Sequence, residues 1–150
     1  MIQRIQSVYL LLAAVLMGAA LGSPLVSFVT PDYQNLTLTS TGLFAGVVSY
    51  PTYGIITTGL ICALIAFVEI FLYKKRKLQI RLSSINYCLI VLFIVTIVAY
   101  SHAAMQKYSF MTMRVDYGCL FPFISIIFNA LAKSKINKDE KLVRSLDRIR

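Results

Sequence analysis

The sequence predicts an all-α membrane protein: an antiparallel bundle of four transmembrane helices, with a short extracytoplasmic loop holding a small β-hairpin and a cytoplasmic amphipathic C-terminal helix. Three observations lead there. Of the 150 residues, 58% are hydrophobic and only 14% charged, against roughly 45–50% and 25% in soluble domains. The charges also leave long gaps. Between Arg4 and Asp32 lie 27 residues without Asp, Glu, Lys or Arg, between Asp32 and Glu69 36, between Arg81 and Lys107 25, and between Asp116 and Lys133 16. Finally, 13 of the 15 cations fall in segments that four successive spans would put on one side.

Crossing a hydrocarbon core of ~30 Å takes about 20 apolar residues at 1.5 Å each. The spans expected on that basis are 7–28, 53–73, 83–105 and 116–133, the last one short, with a tail over 134–150. The whole chain is one integral membrane domain. Residues 29–52 carry Pro, Gly, Ser and Thr but no Lys or Arg, and alternation around Leu36 and Leu38 predicts the hairpin. Residues 106–115 read as a short polar turn.

Lys and Arg resist transfer across a membrane. Arg4, the five cations from Lys74 to Arg81 and the seven from Lys133 onward therefore mark the cytoplasmic side, and both termini lie there. Lys74, Lys75, Arg76 and Lys77 act as a stop-transfer and orientation signal, and anionic headgroups are their natural counter-charge. Nucleic acid is not an expected partner, because so short a loop is pressed against the headgroups. The start of the chain offers two readings. Arg4, an apolar run and "GAALGS" have the form of a signal peptide, but the apolar run resumes past Pro24 and favours an uncleaved first span. Ala14, Gly18 and Gly22 would then form a small-residue stripe for close helix packing.

Chemistry-bearing residues are few. Cys62, Cys88 and Cys119 form no C-x-x-C pair, and one histidine, His102, supplies no metal-ligand cluster. No cofactor and no enzyme activity are expected. Asp116 reads as the cap of the fourth helix, with Arg114 as its pairing partner. Tyr50, Tyr53, Tyr100, Tyr108 and Tyr117 outside, with Tyr73 and Tyr87 inside, read as interfacial belts.

Glu69 is the one acid inside a span. Acids there are rare and mark either a paired structural site or a relay. Gln3, Arg4, Gln6, Asn86, Asn129 and Lys133 fall at a similar depth. The expectation is a polar layer of Arg4, Glu69, Asn86, Asn129 and Lys133, with Glu69 bonded to Arg4, Lys133 or the asparagines. The alternatives are a proton- or cation-coupled transport site in a small oligomer, or a glutamate reaching toward the headgroups. The tail has its own pattern. Asn137 reads as a cap, and Leu142, Val143, Leu146 and Ile149 recur on one helical face, so a basic amphipathic helix would lie on lipid or dock on a membrane-protein partner.

"MIQRIQSVYLLLAA" at the start and "NKDEKLVRSLDRIR" at the end, 28 of 150 residues, resemble a family of small four-span inner-membrane proteins of Bacteroidota that carries no assigned function. That resemblance implies uncleaved spans with both ends inside. It also implies that Gln3, Arg4 and "DEKLVRSLDR" are the family's recurrent parts, and it implies no catalytic residue. The function expected is a non-enzymatic accessory or assembly protein.

Overall fold

A computed structural model describes residues 2–31, 35–45, 48–107 and 112–147, without the side chains of residues 2–4, 45, 48, 49, 74, 144, 146 and 147. The chain is mostly helical, with a small antiparallel sheet. Its elements run α1 (Ile2–Gly22), β1 (Val26–Val29), β2 (Asn35–Leu38), β3 (Gly42–Ala45), β4 (Val48–Pro51), α2 (Tyr53–Phe71), α3 (Arg76–Lys107), β5 (Thr112–Val115) and α4 (Leu120–Asp147). Single 3-10 turns at Leu72–Lys74 and Tyr117–Cys119 introduce α3 and α4. The four helices are long and apolar enough to cross a membrane.

Three expectations are corrected. The first helix stops at Gly22 rather than reaching residue 28. Pro24 lacks the amide a helix needs and biases Ser23 away from helical torsions. Ser23 closes the end instead, its hydroxyl donating to the Ala19 carbonyl at 2.6 Å. The expected hairpin belongs to a five-stranded sheet of order β4-β3-β2-β1-β5. In it Thr112–Val115, read as part of a polar turn, pairs antiparallel with Val26–Val29 in the register Val26↔Val115 to Val29↔Thr112. And the tail is no separate helix capped at Asn137: α4 runs unbroken from Leu120 to Asp147.

The sheet lies over one end of the helices. Leu25, Phe28, Leu36, Leu38 and Leu43 are buried and join a core with Met17, Ala20, Ile55, Phe93 and Ile97. Polar ties fix its loops. Ser40 donates to the Leu21 carbonyl at 2.6 Å, and the Thr52 hydroxyl is shared between the carbonyls of Thr39 and Ser40. Where α4 begins, the amides of Asp116 and Gly118 donate to the carbonyls of Leu25 and Pro24 at 3.0 and 3.2 Å. Asp116 does not cap: its carboxylate accepts the Ser27 hydroxyl, and it makes no side-chain bond to the turn it precedes.

Principal helix contacts run α1 to α2, α2 to α3, α3 to α4 and α4 back to α1. Each helix buries a stripe spaced by alternating threes and fours: Gln6, Leu10, Ala13, Met17 and Ala20 on α1; Ile55, Gly59, Cys62, Ala66 and Glu69 on α2; Gln79, Ser83, Asn86, Ile90, Phe93 and Ile97 on α3; Ser125, Asn129, Ala132 and Ile136 on α4. A mean period of 3.5 keeps one seam turned toward a neighbour along a whole helix. Gly59 is a tight point, since a Cβ there would come within 2.6 Å of Leu21 Cδ2 and 2.8 Å of Phe93 Cε2. The stripe expected at Gly18 and Gly22 packs against nothing within 4 Å.

Candidate functional site at the polar end of the helix seam

Near the sheet the seam is largely apolar, with the buried Ser101 hydroxyl satisfied by the Ile97 carbonyl. At the other end it turns polar, through Gln6, Glu69, Gln79, Ser83, Asn86 and Asn129, all buried. The depths are fixed by two bonds. Gln79 Nε2 donates to the Glu69 carbonyl oxygen at 3.0 Å, and the Ser83 hydroxyl donates to Asn129 Oδ1. Gln79 to Asn86 is seven residues, about 10 Å of helix, so these groups share a thin layer.

The layer is incompletely satisfied. Glu69 is fully buried, and among the described residues neither carboxylate oxygen has a hydrogen-bond partner; Asn86 likewise lacks partners at Oδ1 and Nδ2, and Asn129 at Nδ2. The pairing expected of Glu69 with Lys133 or the asparagines is therefore not made among the described residues. Each buried polar group left open costs roughly 1–3 kcal/mol. By contrast, Ser125, also in the seam, donates to the Ala13 carbonyl at 3.1 Å, and Gln6 Nε2 donates to Asp139 Oδ2.

Of the five residues expected in the layer, Glu69, Asn86 and Asn129 lie in the seam. Lys133 is half-buried on the rim of a cleft of about 440 Å³ between α3 and α4. The Arg4 side chain lies outside the described residues. Gln79 and Ser83 were not anticipated, although their spacing to Asn86 and Ile90 continues the apolar stripe of α3.

The expected docking residues divide similarly. Lys75, Arg76 and Lys77 line a cleft of about 670 Å³ with Tyr73, Leu78, Glu140 and Val143. Leu142 is 59% exposed and Val143 40%. The side chains of Lys74 and Leu146, and all of Ile149 and Tyr108, lie outside the described residues. At the sheet end, His102 and Cys119 border an apolar cleft of about 340 Å³, and the Cys119 thiol donates to the Leu25 carbonyl at 3.0 Å. Lys107 stacks over the Tyr50 ring at 3.8 Å.

Four membrane-length helices, a sheet over one end and a polar, basic opposite end define a small multi-helix protein of the kind suited to a membrane. The chain belongs to the family described as Domain of unknown function (DUF4293), whose model matches residues 2–149. Comparison with curated proteins finds no match.

Proposed function

We propose that the chain is an antiparallel four-helix transmembrane bundle of the bacterial inner membrane, with both termini cytoplasmic, and that it serves as a non-enzymatic accessory or assembly protein. Its basic end docks an acidic, apolar-anchored segment of a membrane-protein partner. The observation that carries this is the 670 Å³ cleft, where three cations outnumber one acid, Glu140, around the half-exposed Val143 beside Leu142. A cationic rim around an apolar anchor is complementary to that chemistry. Helix lengths agree. From Asn129, α4 continues for about 27 Å, whereas from Ser83 back to Arg76 α3 covers only about 10 Å. The last turns of α4 thus stand past the neighbouring helix with apolar groups uncovered.

The test is a mild-detergent pull-down at native abundance, comparing wild type with Leu142→Asp/Val143→Asp and with Lys75→Glu/Arg76→Glu/Lys77→Glu. A stoichiometric membrane partner lost in both variants is expected. An unchanged set of bound proteins in both would end the docking reading.

A second reading rests on Glu69. A carboxylate buried in a span-length helix, without a hydrogen-bond partner among the described residues, suits a small oligomeric proton- or cation-coupled transporter. Glu69 borders neither of the two clefts at the basic end, which is why this reading stands second. Reconstituted Glu69→Gln protein that sustains proton flux at the wild-type rate would remove it.

A further inference from the structure

We infer that the α3–α4 cleft is a binding site for the phosphate of an anionic phospholipid, separate from the partner-docking cleft and independent of it. Three lysines, Lys133, Lys138 and Lys141, line it together with Tyr87, Ser83 and Asn129. They share one face of α4 because the helix runs unbroken through the segment. Among the described residues no acidic side chain lines this cleft. The two acids of the same segment are turned elsewhere: Asp139 accepts from Gln6 on α1, and Glu140 borders the docking cleft.

The floor supplies the second observation. Asn129 is 1% exposed, and its Oδ1 is occupied by the Ser83 hydroxyl, while its Nδ2 has no partner. A buried N–H donor left open is costly. Asn129 also lines the cleft with the three lysines, so an oxyanion entering it would neutralise the lysines and, once a side-chain rotation uncovers Nδ2, accept from Asn129. Phosphate is the oxyanion that such mixed ammonium and amide donors suit.

Placement selects a lipid over a soluble phosphate. Lys133 is the first cation after the 16-residue uncharged run that starts at Tyr117, so the cleft straddles the boundary between apolar and charged helix. Tyr87, 44% exposed on the rim, has the amphipathic character of residues at headgroup depth. Deeper along the same helices Val91 and Ile127 are exposed, giving acyl chains an apolar track beneath the headgroup.

The experiment is native mass spectrometry of delipidated protein titrated with phosphatidylglycerol or with phosphatidylcholine, with inorganic phosphate as competitor. Wild type is expected to retain phosphatidylglycerol selectively. Lys133→Gln/Lys138→Gln/Lys141→Gln should lose affinity on the order of 100-fold. Asn129→Leu should lose about tenfold. Lys75→Gln/Arg76→Gln/Lys77→Gln should bind as wild type. The lysine variants lie on the cleft's surface, so they read binding even if Asn129→Leu fails to fold. Unchanged affinity in the Lys133/Lys138/Lys141 variant overturns the inference, as does an equal loss in the Lys75/Arg76/Lys77 variant, which would signal diffuse charge attraction. Binding of inorganic phosphate without preference for phosphatidylglycerol also overturns it, because the ligand would then be a soluble phosphate. Partner capture enters none of these outcomes, so this site and the docking reading fail separately.

Discussion

Replacing Glu69 by leucine should make the fold more stable, which is the opposite of what a structural ion pair would give. Glu69 is 0% exposed and both its carboxylate oxygens are without hydrogen-bond partners among the described residues, while its backbone carbonyl already accepts from the Leu72 amide and from Gln79 Nε2. The bond that fixes the layer's depth therefore survives Glu69→Leu. What is removed is a desolvated polar group, whose open bonds cost roughly 1–3 kcal/mol, a lower bound if the carboxylate carries charge. What is gained is an apolar side chain of similar size in a stripe whose preceding members are Gly59, Cys62 and Ala66. The expected change is a stabilisation of about 1–3 kcal/mol. Asn86→Leu should behave likewise, and the double variant will depart from additivity only if the two side chains touch. Steric-trapping unfolding in bicelles measures this directly. A loss of about 1 kcal/mol or more in Glu69→Leu would refute the reasoning, since it would mean that the carboxylate holds a partner worth more than its burial costs.

Other perturbations follow from contacts in the same structure. Gly59→Ala puts a Cβ against Leu21 and Phe93 and should cost about 1–3 kcal/mol as overpacking. Gly18→Ala, with open space around it, is the matched control and should be neutral within about 0.5 kcal/mol in the same unfolding assay. Thr52→Val removes a donor from the buried Ser40 carbonyl and the part-buried Thr39 carbonyl and should cost roughly 1–3 kcal/mol, read as earlier proteolysis of the sheet end. For orientation, Thr41→Cys and Ser145→Cys in a cysteine-free background should behave oppositely toward an impermeant maleimide. Thr41→Cys should label in intact spheroplasts and Ser145→Cys only after lysis; the reverse pattern would overturn the assignment of the cytoplasmic side.

The helices were legible because length and charge gaps are collective signals: no single residue decides whether 25 uncharged positions form a span-length helix. The sheet was not, for the opposite reason. Its strands are four residues each, and β1 pairs with β5 across more than 80 positions of sequence. Val26 and Phe28 also read naturally as the last apolar turn of the first helix, and only Pro24 argued otherwise. In the polar layer, Glu69, Asn86 and Asn129 stood out because polarity inside an apolar run is conspicuous. Gln79 and Ser83 were hidden near the basic segment, where a polar side chain attracts no notice, although the 3.5-residue stripe running back from Phe93 passes through both. The partner of Glu69 could not be read at all. A sequence shows which groups need satisfying, and only side-chain placement shows which are left open.

The two ends of the molecule differ in how completely they are finished, and this bears on where function resides. At the sheet end, carbonyls exposed where α1 stops are taken up by Ser23, Ser40, Gly118 and Asp116, and a Cβ on Gly118 would come within 2.3 Å of the Pro24 carbonyl oxygen. Among the described residues no buried side-chain N or O atom at this end is left without a partner. At the other end the open groups of Glu69, Asn86 and Asn129 gather in one layer, two basic clefts flank the α3 side of α4, and Leu142 and Val143 are left uncovered. Open buried polar groups lower stability, and among the described residues Glu69, Asn86 and Asn129 gather them in the layer at one end, where a ligand or partner could complete them. The sheet then packs into the apolar end of the helix core, and the opposite end holds the open groups on which the proposed docking and lipid sites rest.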